Sequence, residues 1–153
     1  MAYMMQAVNK YGTVSAQALA LQVQDEAYTF AYYLLGDEKA AEAATQAAFD
    51  SVSRHGKLQM EQFRQAVLRG VLNRSQAAAP LVPSTGRAAM EQREDVTRAL
   101  LRLPAAERSA LVLVDVLGMG YYDAARIMGC SRKQITYLLA QGRMKFAPDG
   151  QIQ

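Results

Sequence analysis

Residues 121–146 read YYDAARIMGCSRKQITYLLAQGRMKF. Tyr121 to Met128 has the spacing of a short helix, and Gly129 closes it. Cys130 follows, then Ser131-Arg132-Lys133-Gln134. Ser131 with Gln134 three residues later is a capping box, in which each side chain satisfies a backbone N–H at a helix start. Ile135, Leu138, Leu139 and Gly142 continue as a helical stripe toward Phe146. A short helix, a tight glycine turn and a capped second helix form the grammar of a helix-turn-helix. In that motif the second helix enters the major groove and its first residues meet base edges. Arg and Lys can donate to guanine there, and Gln can pair with adenine. The candidate DNA-binding set is Ser131, Arg132, Lys133, Gln134, Thr136, Tyr137 and Arg143. Two helices at a glycine turn also occur as plain core packing, and spacing alone leaves both readings open. Cys130 is expected as a small buried hydrophobe. Tyr121 and Tyr122 are expected to pack or cap rather than stack on bases.

Upstream, Pro104 opens another helix at the position where a missing N–H costs nothing. That helix is strongly apolar through Leu111, Val112, Leu113, Val114, Val116 and Leu117, and ends at Gly118. Before it, a helix is expected over residues 89–101. The segment AAAPLVPSTG, residues 77–86, has two prolines, a glycine and small polar residues, which mark a linker. A domain boundary is therefore placed there. The expected division is a helical domain over 1–76, a linker over 77–88, a second helical domain over 89–147 and a tail over 148–153.

The first domain reads as three helices. One covers residues 13–35, capped by Thr13 or Ser15 and ended by Gly36, with Leu21, Tyr28, Tyr32 and Leu35 as its apolar stripe. Asp37 caps a second, rich in Ala and Glu, that reaches Arg54. A third covers 59–76, with Phe63, Val67 and Val71 on one face. The fold class that follows is all-α: two small helical domains joined by a flexible linker, the C-terminal one carrying the helix-turn-helix.

Composition narrows the function classes. Of 153 residues 51% are hydrophobic, which argues against a disordered chain. No apolar run reaches the roughly 18 residues that a membrane span needs. Residues 1–10 lack a basic start followed by an apolar block, so cytoplasm is the expected location. The single cysteine, Cys130, and single histidine, His55, cannot build an internal disulfide or a Cys/His zinc site. His55, in SRHGK, reads as a polar residue at a helix end rather than a catalytic base. The acid pairs Asp37-Glu38 and Glu94-Asp95 sit where helix starts favour negative charge. No catalytic constellation, metal or cofactor is expected. Charge is uneven along the chain. Residues 1–80 balance seven Lys/Arg against seven Asp/Glu, whereas residues 118–147 carry five basic residues and one acid. A local basic surface points to a polyanion partner at the C-terminal end.

These residues resemble a known family. LRLPAAER at 101–108, the apolar helix after it, DVLGMGY at 115–121 and YDAARIMG at 122–129 resemble region 4 of bacterial sigma factors. The nearest class is the extracytoplasmic-function (ECF) class. Leu35-Gly36-Asp37, Ala41-Glu42 and Gln46-Ala47-Ala48-Phe49 resemble the second helix of region 2; Phe63-Arg64 with Arg69 and Asn73 resembles the third. The resemblance spans residues 20–147. It implies a protein that binds core RNA polymerase and promoter DNA, needs no cofactor and is open to control by an anti-sigma factor. It places Glu42, Gln46, Phe49 and Asp50 on the polymerase-binding face.

The sequence also departs from the family. Acids usually flank the Gln of the second region 2 helix, and here those positions are Ala43 and Ala47. The end of the third helix, RSQAAA at 74–79, has one basic residue where a cluster is usual. In the recognition helix, Thr136, Leu138, Ala140 and Gln141 stand at positions that are commonly basic. Fewer cations mean less counterion release on DNA binding. Two readings follow: a divergent ECF-type sigma factor, or a sigma mimic that acts by protein–protein contact, for example on an anti-sigma factor.

Overall fold

The computed structural model describes residues 14–54, 58–77 and 91–146. Every regular element among them is helical. The first, α1, is Val14–Leu35. It stops at Gly36, whose φ of 73° suits glycine, and whose N–H returns to Tyr32 O at 2.7 Å. Next, α2 is Glu38–Ser53, with Asp37 as N-cap accepting from Ala40 N at 2.8 Å. Its buried face is Ala41, Ala44, Thr45, Ala48, Phe49 and Val52, a helical spacing. Then α3 is Met60–Ala77 and buries Phe63, Val67, Leu68, Val71 and Leu72. The three helices pack on one another. Phe49 and Phe63 meet edge to face at 5.5 Å and join α2 to α3.

The C-terminal half begins with α4, Glu91–Leu101. Pro104 is the N-cap of α5, Ala105–Leu111, one residue before the first turn. The helix continues as a wider turn over Val112–Val116, where Leu117 N bonds to Val112 O at 2.9 Å. Gly118, at φ 71°, turns the chain into α6, Tyr121–Met128. Gly129, at φ 67°, ends α6, and Cys130 N closes onto Ala125 O at 3.0 Å in a Schellman-type turn. The last helix, α7, is Arg132–Lys145. A Cβ at Gly142 would fall 2.9 Å from Leu111 Cδ1, so glycine there lets α7 lie close against α5.

The all-α architecture with a C-terminal helix-turn-helix is as expected from sequence. The core-facing side of α1 is not: Leu21 is exposed, and Ala20, Val23, Ala27, Phe30, Ala31 and Leu34 are buried, with Leu35. Small alanines on that face let α2 and α3 approach, and Tyr28 and Tyr32 sit half-buried beside it. Ser15 lies inside α1 rather than capping it. Thr13, His55, linker positions 78–88, the start of the helix expected from 89 and the tail 148–153 lie outside the described residues; Ala77 ends α3. The side chains of Glu94 and Asp95 lie outside them too, while Asp37 and Glu38 open α2 as expected.

The two halves pack together. α1 touches α4 and α5, and α3 touches α6, so one apolar core runs through both. Arg108 of α5 lies in this contact. Its guanidinium donates to Leu100 O, Leu103 O and Leu101 O in its own half and to Leu34 O at the end of α1.

Candidate nucleic-acid interface

The turn between α6 and α7 fixes where the recognition helix starts. Ser131 Oγ accepts from Gln134 N at 3.1 Å, and Gln134 Oε1 accepts from Ser131 N at 2.9 Å. Both halves of the capping box are therefore present. Ile135, Leu139 and Gly142 bury one face of α7, and that burial sets its rotation. Arg132, Lys133, Gln134, Thr136 and Tyr137 are exposed on the other side, together with Ser131. The Thr136 hydroxyl donates back to Arg132 O at 3.1 Å, so it is partly engaged within the helix. Gln134, too, spends its carbonyl oxygen on the cap, which leaves its amide N–H groups for another partner.

The basic residues of α7 fall into two groups. Near the C-terminal end, Arg143 forms a two-pronged pair with Asp115, at 2.7 and 3.0 Å. That hydrogen bonding, ahead of all other causes, holds the guanidinium above its usual pKa range. Lys145 reaches Glu107 Oε1 at 2.9 Å. Both pairs tie the end of α7 back to α5 and its continuation. Arg132 and Lys133, at the N-terminal end, are exposed and head no such pair among those described. Arg143 is thus placed on the expected surface but already holds a carboxylate. The sequence offered no means of pairing residues 28 and 38 positions apart.

Exposed apolar side chains accompany these cations. Tyr137 is 64% exposed and Met144 80%. With Lys133 and Ala140 they make one i, i+4, i+7, i+11 stripe along α7. On α6, Tyr122 is exposed, and its hydroxyl accepts from Arg126 Nη1 at 3.1 Å while the guanidinium lies 5.6 Å from the ring centroid. Cys130 is half-buried, and burial pushes its thiol pKa up, as suits an unreactive small side chain.

On α2, Glu42 and Gln46 are exposed and Asp50 is half-buried, along one edge of the helix. Phe49 belongs elsewhere: it is fully buried against Phe63. The expected place for it on a docking surface is corrected, because a ring in the α2–α3 core has no area left for a partner. Ala43 is exposed and Ala47 half-buried beside the acidic edge. Glu42 also borders a surface cleft of about 370 Å³ with Gln24, Asp25, Tyr28 and Thr29. Among the described residues no group of three or more His, Cys, Asp or Glu is placed to hold a metal, and no helix is long and apolar enough to cross a membrane.

Comparison with known proteins places this geometry. Residues 93–146 match the family model for sigma-70, region 4. The fold is similar to that of the sigma factor RpoE solved in complex with the anti-sigma factor NepR from Bartonella quintana, at TM-score 0.62 and 20% identity. That match covers 82% of this chain and 90% of the other. It is also similar to CnrH solved in complex with the cytosolic domain of CnrY, at TM-score 0.73 and 20% identity, over 95% of each chain. A search of curated protein sequences gives no match. The chain thus shares the helical fold of these two proteins, and residues 93–146 are also similar in sequence to sigma-70 region 4.

Proposed function

We propose that this chain is an ECF-type sigma factor-like protein of transcription, with α7 reading promoter duplex and the N-terminal half docking on core RNA polymerase. The observation that carries the reading is the start of α7. A complete capping box fixes Ser131, and Arg132, Lys133 and Gln134 project from a solvent-facing helix end within the segment similar to sigma-70 region 4. That end has the shape and the donors that major-groove recognition uses. On this reading the role is binding rather than catalysis. The division into a region 2-like part over 1–76 and a region 4-like part over 89–147 belongs to the same proposal, as does docking through Glu42, Gln46 and Asp50.

A second reading has specific support. Arg143 and Lys145 are held by acids, Ala43 and Ala47 stand on the α2 edge, and Tyr137 and Met144 are widely exposed. These features suit a sigma mimic that meets a protein partner such as an anti-sigma factor. The two solved structures of similar fold described above are complexes, one with an anti-sigma factor and one with the cytosolic domain of CnrY.

Binding to promoter-length duplex separates the readings. With α7 in the groove, Arg132→Ala and Lys133→Ala each weaken binding and lower the slope of log K against log salt by about 0.9. A protein-only role predicts no duplex affinity above that of a neutral control protein, and unchanged capture of the anti-sigma partner by both variants.

A further inference from the structure

The capping box that starts α7 also decides which atoms of Gln134 are left to meet a ligand. Ser131 N donates to Gln134 Oε1 over 2.9 Å, and the Ser131 hydroxyl donates to the same oxygen over 3.3 Å. A main-chain N–H needs an oxygen here, so the cap fixes the amide with its carbonyl turned back to Ser131. A carboxamide oxygen has two lone pairs, and both have donors. The other end of the amide, Nε2, carries two N–H groups. Gln134 is exposed, and nothing among the described residues engages Nε2. Its neighbours have the same polarity: Arg132 and Lys133 are exposed and can only donate. The side chains of these three residues thus offer donors and no free acceptor.

An unconstrained glutamine presents an acceptor beside a donor, which is what lets it pair with N6 and N7 of adenine. The capped Gln134 does not. In the major groove guanine shows two acceptors, N7 and O6. Adenine shows N7 beside the N6 amino group, and cytosine shows the N4 amino group. Guanine therefore meets the donors of Gln134 with acceptors, whereas the amino group of adenine or cytosine meets only further donors. Turning the amide round to suit adenine would strip the Ser131 N–H of its acceptor at the helix start.

We infer that Gln134 is a specificity-determining residue that selects guanine over adenine in the duplex, because the capping box holds its carbonyl oxygen. The inference rests on the reading of α7 as a duplex-binding helix and gives that reading a base preference. It reverses the adenine pairing that the residue type alone suggests. The cap has two roles: it starts the helix, and it removes from Gln134 the atom that adenine needs.

The test selects ligands from a duplex library with a randomised central segment, using the 153-residue chain and its Gln134→Glu and Arg132→Gln variants. Glutamate keeps the capping box, since one carboxylate oxygen still accepts from Ser131 N, but it puts an oxygen where Nε2 stood. One position of the selected site changes between the parent and Gln134→Glu. There the parent favours guanine over adenine by about tenfold, and the variant favours cytosine, whose amino group donates to the new oxygen. The other positions stay the same. Bases are compared within each protein, so the change in net charge cancels. Circular dichroism confirms that both variants keep the helical fold. A parent preference for any base other than guanine at that position overturns the inference. So does a site that Gln134→Glu leaves unchanged while Arg132→Gln alters it, and the reading of α7 then stands. A parent that selects no sequence, or a site that neither variant changes, overturns both.

Discussion

The guanidinium of Arg108 donates to the main-chain oxygen of Leu34 over 3.0 Å, and these two residues belong to opposite halves of the molecule. Helix α1 ends by turning the Gly36 N–H back to Tyr32 O, which leaves the Leu34 carbonyl without a partner in its own helix. Arg108 supplies one. The same side chain takes Leu100 O, Leu101 O and Leu103 O, and so closes the end of α4 too. Only 7% of it is exposed, and burial lowers its pKa. Four carbonyl dipoles stand in for the water it has lost.

Arg108→Leu follows directly. The leucine fits the apolar surroundings but leaves buried carbonyls unpaired on both sides. Unpaired buried groups cost about 1–3 kcal/mol each, softened by water entry, so a total loss of roughly 3–5 kcal/mol is expected. Urea unfolding followed by circular dichroism measures it. A loss below about 1 kcal/mol would mean the guanidinium is dispensable to the packing of the halves.

Asp115→Asn frees Arg143 at small structural cost. The pair is about half exposed on both sides, and such pairs contribute about 1 kcal/mol or less. On duplex DNA the released guanidinium adds a phosphate contact and steepens the salt slope by about 0.9. A change in stability alone, with the slope unmoved, would place Arg143 off the DNA path.

Ser131→Ala removes one side of the capping box. Stability falls by about 1 kcal/mol, since Gln134 N loses its acceptor. The start of α7 loosens, and duplex affinity drops with it while the salt slope stays constant, because no cation has been removed. Thermal unfolding and the salt series report the two effects separately.

Gly142→Val tests the α5–α7 contact. Side-chain atoms would meet Leu111 Cδ1 at under 3 Å before relaxation, and overpacking of this kind costs about 1–3 kcal/mol. Chemical unfolding reads that loss directly. A variant as stable as the parent would show that α7 can shift on α5 without penalty.

Local chemistry made much of this molecule legible in the sequence. Gly36, Asp37, Gly118, Gly129 and the Ser131–Gln134 box mark helix ends through backbone needs that lie within a few residues, and each ends or starts a helix as expected. The stripe of α1 was less legible, because a helix packed by alanines hides its buried face among residues of low hydrophobicity. Leu21 then draws attention that belongs to Ala20 and Ala27. Phe49 misled for a related reason: a resemblance places it beside exposed neighbours, while its own bulk places it under them. Pairings such as Arg108 with Leu34, Arg143 with Asp115 and Lys145 with Glu107 join residues far apart in the chain, and no local pattern announces them. The contact of α3 with α6 depends on how the halves pack, which composition and linker length do not set.

If the chain acts in transcription through core RNA polymerase, as proposed, it retains that enzyme. The tagged chain is immobilised and bacterial core RNA polymerase is passed over it at moderate salt. Stoichiometric retention is expected, reduced when Glu42 and Asp50 on the α2 edge are both changed to Ala. No retention of core enzyme by the unaltered chain would contradict the proposal and leave the sigma mimic as the reading to pursue.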